Sequence, residues 1–157
     1  MKTLKIALAI LIVSIGLTVS SSCDMLKDKE AIDGDDFAEF MEDEGFDVED
    51  ITSQYDDFDG VEEVIIAYND DYQIEFYVVE TVDQAKNAYS QNKETFEEEK
   101  SSSSSHVEVS LANYSKFTQK SDGTFSVISR IENTFIYLET DDKYEDEIKD
   151  YLKELGY

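Results

Sequence analysis

The chain has 157 residues, with 38 Asp and Glu against 13 Lys and Arg, for a formal charge of −25. That length suits one domain, and that charge excludes a nucleic-acid binder, which needs a basic face to neutralise phosphates. The single cysteine excludes an internal disulfide framework and a cysteine-rich zinc site, while 41% hydrophobic and 12% aromatic residues suffice for a core despite the acidic balance.

Residues 1–22 form a targeting segment rather than part of the fold. Lys2 and Lys5 give a positive start, and the fourteen residues from Ile6 to Val19 are apolar except for Ser14, Gly16 and Thr18. A bilayer span takes about 20 apolar residues; a shorter stretch with a basic start suits a secretory signal. Ser20-Ser21-Ser22 then supplies small residues just before Cys23. This run resembles the lipobox of bacterial lipoproteins, although the position three before the cysteine, usually Leu in that family, is Ser20 here. The resemblance implies a diacylglycerol anchor on Cys23 and a location on the extracytoplasmic face of the cell membrane. Removing residues 1–22 leaves 135 residues with a formal charge of −27. Anionic headgroups repel such a domain, so the anchor is its expected membrane contact. Twelve lysines against one arginine, Arg130, fit an AT-rich genome and, with the anchor, a Gram-positive cell surface.

Residues 23–34 are polar and read as a flexible tether, with a single domain at 35–157. A first helix starts near Asp36, where Glu39 follows at capping-box spacing, and stops at Gly45. Val48 and Ile51 mark a short strand, and Asp56-Asp57-Phe58-Asp59-Gly60 a turn. Val61–Tyr68 and Tyr72–Glu80 are β-branched and aromatic runs around Asn69-Asp70-Asp71, a hairpin. Thr81 and Gln84 form a capping box for a helix with Val82, Ala85, Tyr89 and Phe96 on one face. Ser101–Ser105 reads as a linker, His106–Phe117 as a strand, and Asp122-Gly123 as a turn. Thr124–Ile131 and Thr134–Glu139 make a second hairpin, and a last helix begins at Asp142 and ends at Gly156.

The expected order is α-β-β-β-α-β-β-β-α. Consecutive hairpins force antiparallel pairing, so the expected fold is α+β: one antiparallel sheet of five or six strands with helices packed on one face. The other face then exposes Gln73, Glu75, Tyr77, Ser126 and Arg130. Gly60, a hairpin, Glu80-Thr81 and a helix are echoed by Gly123, a hairpin, Glu139-Thr140 and a helix, which suggests an internal repeat.

Catalytic signatures are sparse. The only histidine, His106, sits at the end of the serine run and reads as solvated, and no G-x-S-x-G elbow occurs. An EF-hand loop with Gly60 at position six places Asp57 and Asp59 correctly but leaves Tyr55 and Ile66 at the anchoring positions. At most a weak Ca²⁺ contact at Asp56, Asp57 and Asp59 is expected, with no dedicated metal site and no cofactor. Arg130, beside Glu132 and Asn133, suggests either an anion fork on an exposed face or a structural pair pinning the hairpin.

Taken together, Cys23, the Asp36–Gly45 helix, the Ser129–Thr134 hairpin and the C-terminal Leu155-Gly156-Tyr157 resemble small surface lipoproteins of Gram-positive bacteria, a group without an assigned activity. The resemblance implies location and a compact domain and carries over no catalytic residue. The leading expectation is a monomeric, non-enzymatic binding module, anchored through Cys23, for a basic or neutral protein or peptide. Arg130 and Asn133 are its candidate binding residues. The alternative is a small carboxylate-dependent hydrolase or cell-wall-modifying accessory.

Overall fold

The computed structural model describes residues 28–157. The signal segment and Cys23 lie outside the described residues. In chain order the elements are α1 (Gly34–Asp43), β1 (Asp47–Asp50), a 3-10 turn (Thr52–Tyr55), β2 (Val61–Tyr68), β3 (Gln73–Val79), α2 (Val82–Glu98), β4 (Ser105–Ser110), β5 (Tyr114–Ser121), β6 (Thr124–Ile131), β7 (Thr134–Asp141), a second 3-10 turn (Asp142–Tyr144) and α3 (Glu145–Glu154). All seven strands form one open antiparallel sheet, ordered β1-β2-β3-β7-β6-β5-β4. Two meanders, β1-β2-β3 and β4-β5-β6-β7, meet where Phe76 of β3 pairs with Ile136 of β7.

The α+β class and the antiparallel sheet agree with the sequence. The strand count does not. The run expected as one strand, His106–Phe117, is two: Leu111-Ala112-Asn113 turns the chain, with the Leu111 N–H donating to Tyr114 O at 2.7 Å and Asn113 O accepting from the Glu132 N–H at 2.8 Å. His106 therefore stands exposed in an edge strand, stacked on Phe117 with ring centroids 5.5 Å apart.

The helices cover both faces rather than one. Alternation along the central strands divides their apolar residues. Ile74 and Phe76, Phe125 and Val127, and Ile136 and Leu138 point to one core with Phe37 and Met41 of α1 and Ile148 and Leu152 of α3. Val79, Ile128 and Phe135 point to a second core under Ala85, Tyr89 and Phe96 of α2. The strand order requires a crossover here, and α2 makes it on the second face. The chain leaves β3 and re-enters at the far edge, β4, so it must cross β7, β6 and β5. Four strand spacings amount to about 19 Å, and a 17-residue helix reaches about 25 Å. The helix after the first hairpin thus lies on the opposite face from the helix after the second, and the echo in sequence is not matched by a two-fold in space.

Residues 29–32, expected within the tether, contact the domain. The Lys29 N–H donates to Asn113 Oδ1 at 3.2 Å, Asn113 Nδ2 donates to Lys29 O at 2.7 Å, and Lys29 Nζ reaches Gly156 O at 2.5 Å over the Tyr114 ring. Ala31 and Ile32 pack against the first core. Asp33, not Asp36, caps α1, its carboxylate accepting the Asp36 N–H at 2.9 Å.

Candidate functional site

An apolar concavity lies where the segment after β1 meets the start of α2. Several bonds fix that segment. Thr52 Oγ1 accepts the Val64 N–H at 2.9 Å, and the Ile51 N–H donates to Val64 O at 2.9 Å. The Asp50 carboxylate accepts both the Thr52 hydroxyl at 2.5 Å and the Thr52 N–H at 2.8 Å, which holds it below the usual carboxylate range. Further on, Gly60 O accepts the Glu80 N–H at 2.9 Å.

Gly60 is in the left-handed region at φ +84°, and a Cβ there would lie 1.8 Å from Gln84 Nε2. Gln84 is the return half of the capping box: its Oε1 accepts from the Thr81 N–H at 2.9 Å, while Thr81 Oγ1 accepts the Gln84 N–H at 3.2 Å. The loop and the helix start are therefore locked together through a residue without a side chain.

Between them opens a groove of about 370 Å³, within the size range of ligand sites. Its floor is Tyr77 of β3 and Phe135 of β7, stacked at 4.5 Å between centroids and 10° between planes. Tyr55 stands edge-on to Tyr77 at 5.9 Å. Phe58 forms the lip, 5.7 Å from Tyr55 and 62% exposed. Val61, Val79 and Ala88 add apolar wall; Gln84, Asn87 and Gln91 of α2 line the opposite side with amides. An aromatic floor beside amides suits one inserted apolar side chain whose backbone meets hydrogen-bonding partners.

Asp59 lines this groove, and Glu75 adjoins it. The Tyr77 hydroxyl donates to Glu75 Oε2 at 2.5 Å, and Gln73 Nε2 to Glu75 Oε1 at 2.8 Å. Burial and these acidic neighbours push the Tyr77 phenol far above its ordinary value, so it stays a donor. On the same face Tyr137 and Ser126 hydroxyls each donate to Glu139 at 3.0 Å. Both glutamates are thus held by neutral donors. The ion pairs among the described residues engage Asp83, Glu108, Asp141, Asp142 and Glu145, and none involves Glu75, Glu139, Asp56, Asp57 or Asp59.

The residues singled out from sequence fall elsewhere. Arg130 is 2% exposed, on the sheet face beneath α2, so of its two readings the exposed fork is corrected: α2 covers it. Its Nη1 donates to Glu132 O at 3.0 Å and its Nη2 to Ser115 Oγ at 3.4 Å; its Nε has no partner. Burial lowers its pKa, though a guanidinium stays charged. Asn133 Nδ2 donates to Val79 O at 2.8 Å and Asn133 O accepts the Val79 N–H at 3.0 Å, tying the β6–β7 turn to the end of β3. Ser126 is also buried, whereas Gln73 is exposed and Glu75 and Tyr77 are half-buried. Among the described residues no group of three or more His, Cys, Asp or Glu side chains is arranged to hold a metal ion, and no helix is long and apolar enough to cross a membrane. Sequence reasoning missed the groove. Its one local signal was an aromatic, Phe58, inside an otherwise acidic turn.

No family model matches the chain, and no curated protein matches it. Among solved structures, the crystal structure of a GTP binding regulator from Thermotoga maritima is similar at 20% identity, covering 74% of this chain and 79% of that chain, with a TM-score of 0.43. A likeness that weak lends this chain neither a topology nor an activity.

Proposed function

We propose that the protein is a binding module, held by a lipid on Cys23 at the extracytoplasmic face of the membrane, that captures a basic peptide segment by seating one of its apolar side chains in the Tyr55–Phe58–Tyr77–Phe135 groove. The observation that carries this reading is the pairing of an open aromatic groove with Asp59 and Glu75, carboxylates that form no ion pair among the described residues. Tyr and Trp rings are enriched among the few residues that dominate binding energy at interfaces. A ring floor also attracts a Lys or Arg laid across it, and these carboxylates speed encounter with a cationic partner. The hydrolase alternative lacks comparable support. The carboxyl raised by burial and by Asp50, Asp35 and Asp33 is Glu63, which sits over Gly34 at the start of α1.

The test is fluorescence anisotropy with a labelled peptide bearing one Phe flanked by lysines. Phe58→Ala removes an exposed ring and leaves the core intact, and roughly ten-fold weaker binding is expected, corresponding to about 1.4 kcal/mol. Affinity should also fall as NaCl rises from 20 to 150 mM. Binding unchanged by Phe58→Ala, or binding indifferent to the lysines, refutes the assignment.

A further inference from the structure

The two edges of the sheet are built differently. β1, at one edge, is four residues long and carries Asp47, Glu49 and Asp50, the short charged form that blocks strand addition. β4, at the other, is Ser105-His106-Val107-Glu108-Val109-Ser110, with six residues paired to β5 on one side only. It has no proline and no lysine, and its single charge, Glu108, is bound to Lys93 at 2.6 Å. Val107 is 64% exposed, more than any other large hydrophobic residue described. Its outward backbone groups therefore form an unguarded template for another strand.

We infer that β4 is a self-association edge, pairing antiparallel with β4 of a second copy to continue the sheet across a two-fold axis. Directly opposed residues in an antiparallel pair share a face, so a symmetric register must centre on one residue. Centring on Val107 sets Val107 against its own copy, Ser105 against Val109, and His106 against Glu108. This sets an apolar side chain against its own copy and an imidazole against a carboxylate. Centring on Glu108 would oppose two carboxylates, and centring on His106 would set Val107 against Ser105.

Charge also selects this end of the molecule. Residues 28–157 hold ten Lys and Arg against 37 Asp and Glu. Four of those ten lie here: Lys93 on Glu108, Lys116 and Lys120 on the adjacent β5, and Lys149 in the same small cleft as Val107. Self-repulsion is therefore least where β4 meets its copy, although the net charge still opposes approach. A seam of this length is small, and the association is weak, in the high micromolar range or above (roughly, for an interface below about 1,200 Å²). Salt screens the repulsion and strengthens it, opposite to its effect on a cationic ligand at the groove.

The test uses the full chain in non-ionic detergent with Cys23→Ser, so that an introduced cysteine is the sole thiol. Across either kind of antiparallel pair the opposed Cα atoms are about 4.5–5.5 Å apart, within reach of a disulfide. Under mild oxidation Val107→Cys should form covalent dimer at least five-fold faster than Phe58→Cys, a comparably exposed position outside the seam. The rate should rise between 20 and 200 mM NaCl. Adding His106→Glu, which places a carboxylate opposite Glu108 of the second copy, should return it to the Phe58→Cys level. Equal rates for Val107→Cys and Phe58→Cys, a rate that falls with salt, or indifference to His106→Glu overturns the inference. Val107 and His106 are exposed, and unchanged thermal melting of each variant separates loss of association from loss of fold.

Discussion

Replacing Gly60 by alanine tests whether the groove is held by one backbone contact. Two costs follow from the structure. An L side chain at φ +84° enters the left-handed region, at about 1–2 kcal/mol. The new Cβ would also lie 1.8 Å from Gln84 Nε2 and 2.7 Å from its Cδ. A glutamine end can swing away cheaply in open space, but this one is committed: Gln84 Oε1 accepts from both the N–H and the hydroxyl of Thr81, at 2.9 and 3.0 Å. Moving it dismantles the cap of α2, worth about 1 kcal/mol. The total is about 2–3 kcal/mol, which for a domain of this size lowers the melting midpoint by roughly 6–15 °C.

Circular dichroism melts of four variants separate the two contributions. Gly123→Ala has φ +87° and no atom within 4 Å of the new Cβ, so it carries the backbone cost alone. Gln84→Ala carries the cap cost alone. In the Gln84→Ala background Gly60→Ala should lose its contact cost and fall to the Gly123→Ala value, a coupling of about 1 kcal/mol. Gly60→Ala no worse than Gly123→Ala, or strict additivity in the double variant, would refute the account of a loop locked to the helix start. Because the same loop carries Tyr55 and Phe58, Gly60→Ala should weaken peptide capture even well below its melting temperature.

Lys116 is half-buried, and burial first, then Lys29 and Lys149, lower its pKa to about 8. A depressed amine binds its proton less well folded than unfolded, so the stability cost is full below pH 8 and fades as pH rises through 8 towards 10.5. Lys116→Met should therefore raise the midpoint by a few degrees at pH 7, with the gain shrinking above pH 8 in a pH series of melts. Wild-type protein should melt several degrees higher in 150 mM than in 5 mM NaCl at pH 7, because among the described residues five lysines supply all six ion pairs and most carboxylates repel unopposed; a flat or falling midpoint contradicts this. Cys23→Ser should move the protein from the membrane fraction to the medium or leave it unprocessed, as read by fractionation and immunoblot, and equal membrane association of both forms counts against the anchor.

Local features were legible in the sequence because their causes are local. The Thr81–Gln84 capping box, the Asp122-Gly123 turn and the alternation of Ile74 and Phe76 against Tyr77 and Val79 each depend on residues within a few positions. The same alternation held the clue to two covered faces, since Tyr77 and Val79 are too apolar for a solvated side. That clue settles only when the strand order is known. The order turns on β3 pairing with β7, residues about 60 apart in sequence, and nothing near either strand announces it. Arg130 shows the opposite failure. A lone arginine among acids suggested either an exposed fork or a pin for the hairpin, and its burial, which removes the fork, is decided by α2, which no residue near Arg130 encodes.

The groove escaped for the same reason, and this bears on how the molecule divides its labour. One face of the sheet takes two helices and the larger core. The other takes a single crossover helix that cannot cover seven strands. The area left open beside α2 contains Tyr77, Glu75, Tyr137 and Glu139, residues that alternate with buried ones on β3 and β7 and so cannot move without moving the core. A binding surface made this way is rigid by construction, and rigidity lowers the ordering cost of capture. The exposed share falls to the 52–60 segment, whose lip residue Phe58 is 62% exposed. Changes on the strand side of the groove should therefore act through stability, and changes at Phe58 through affinity alone.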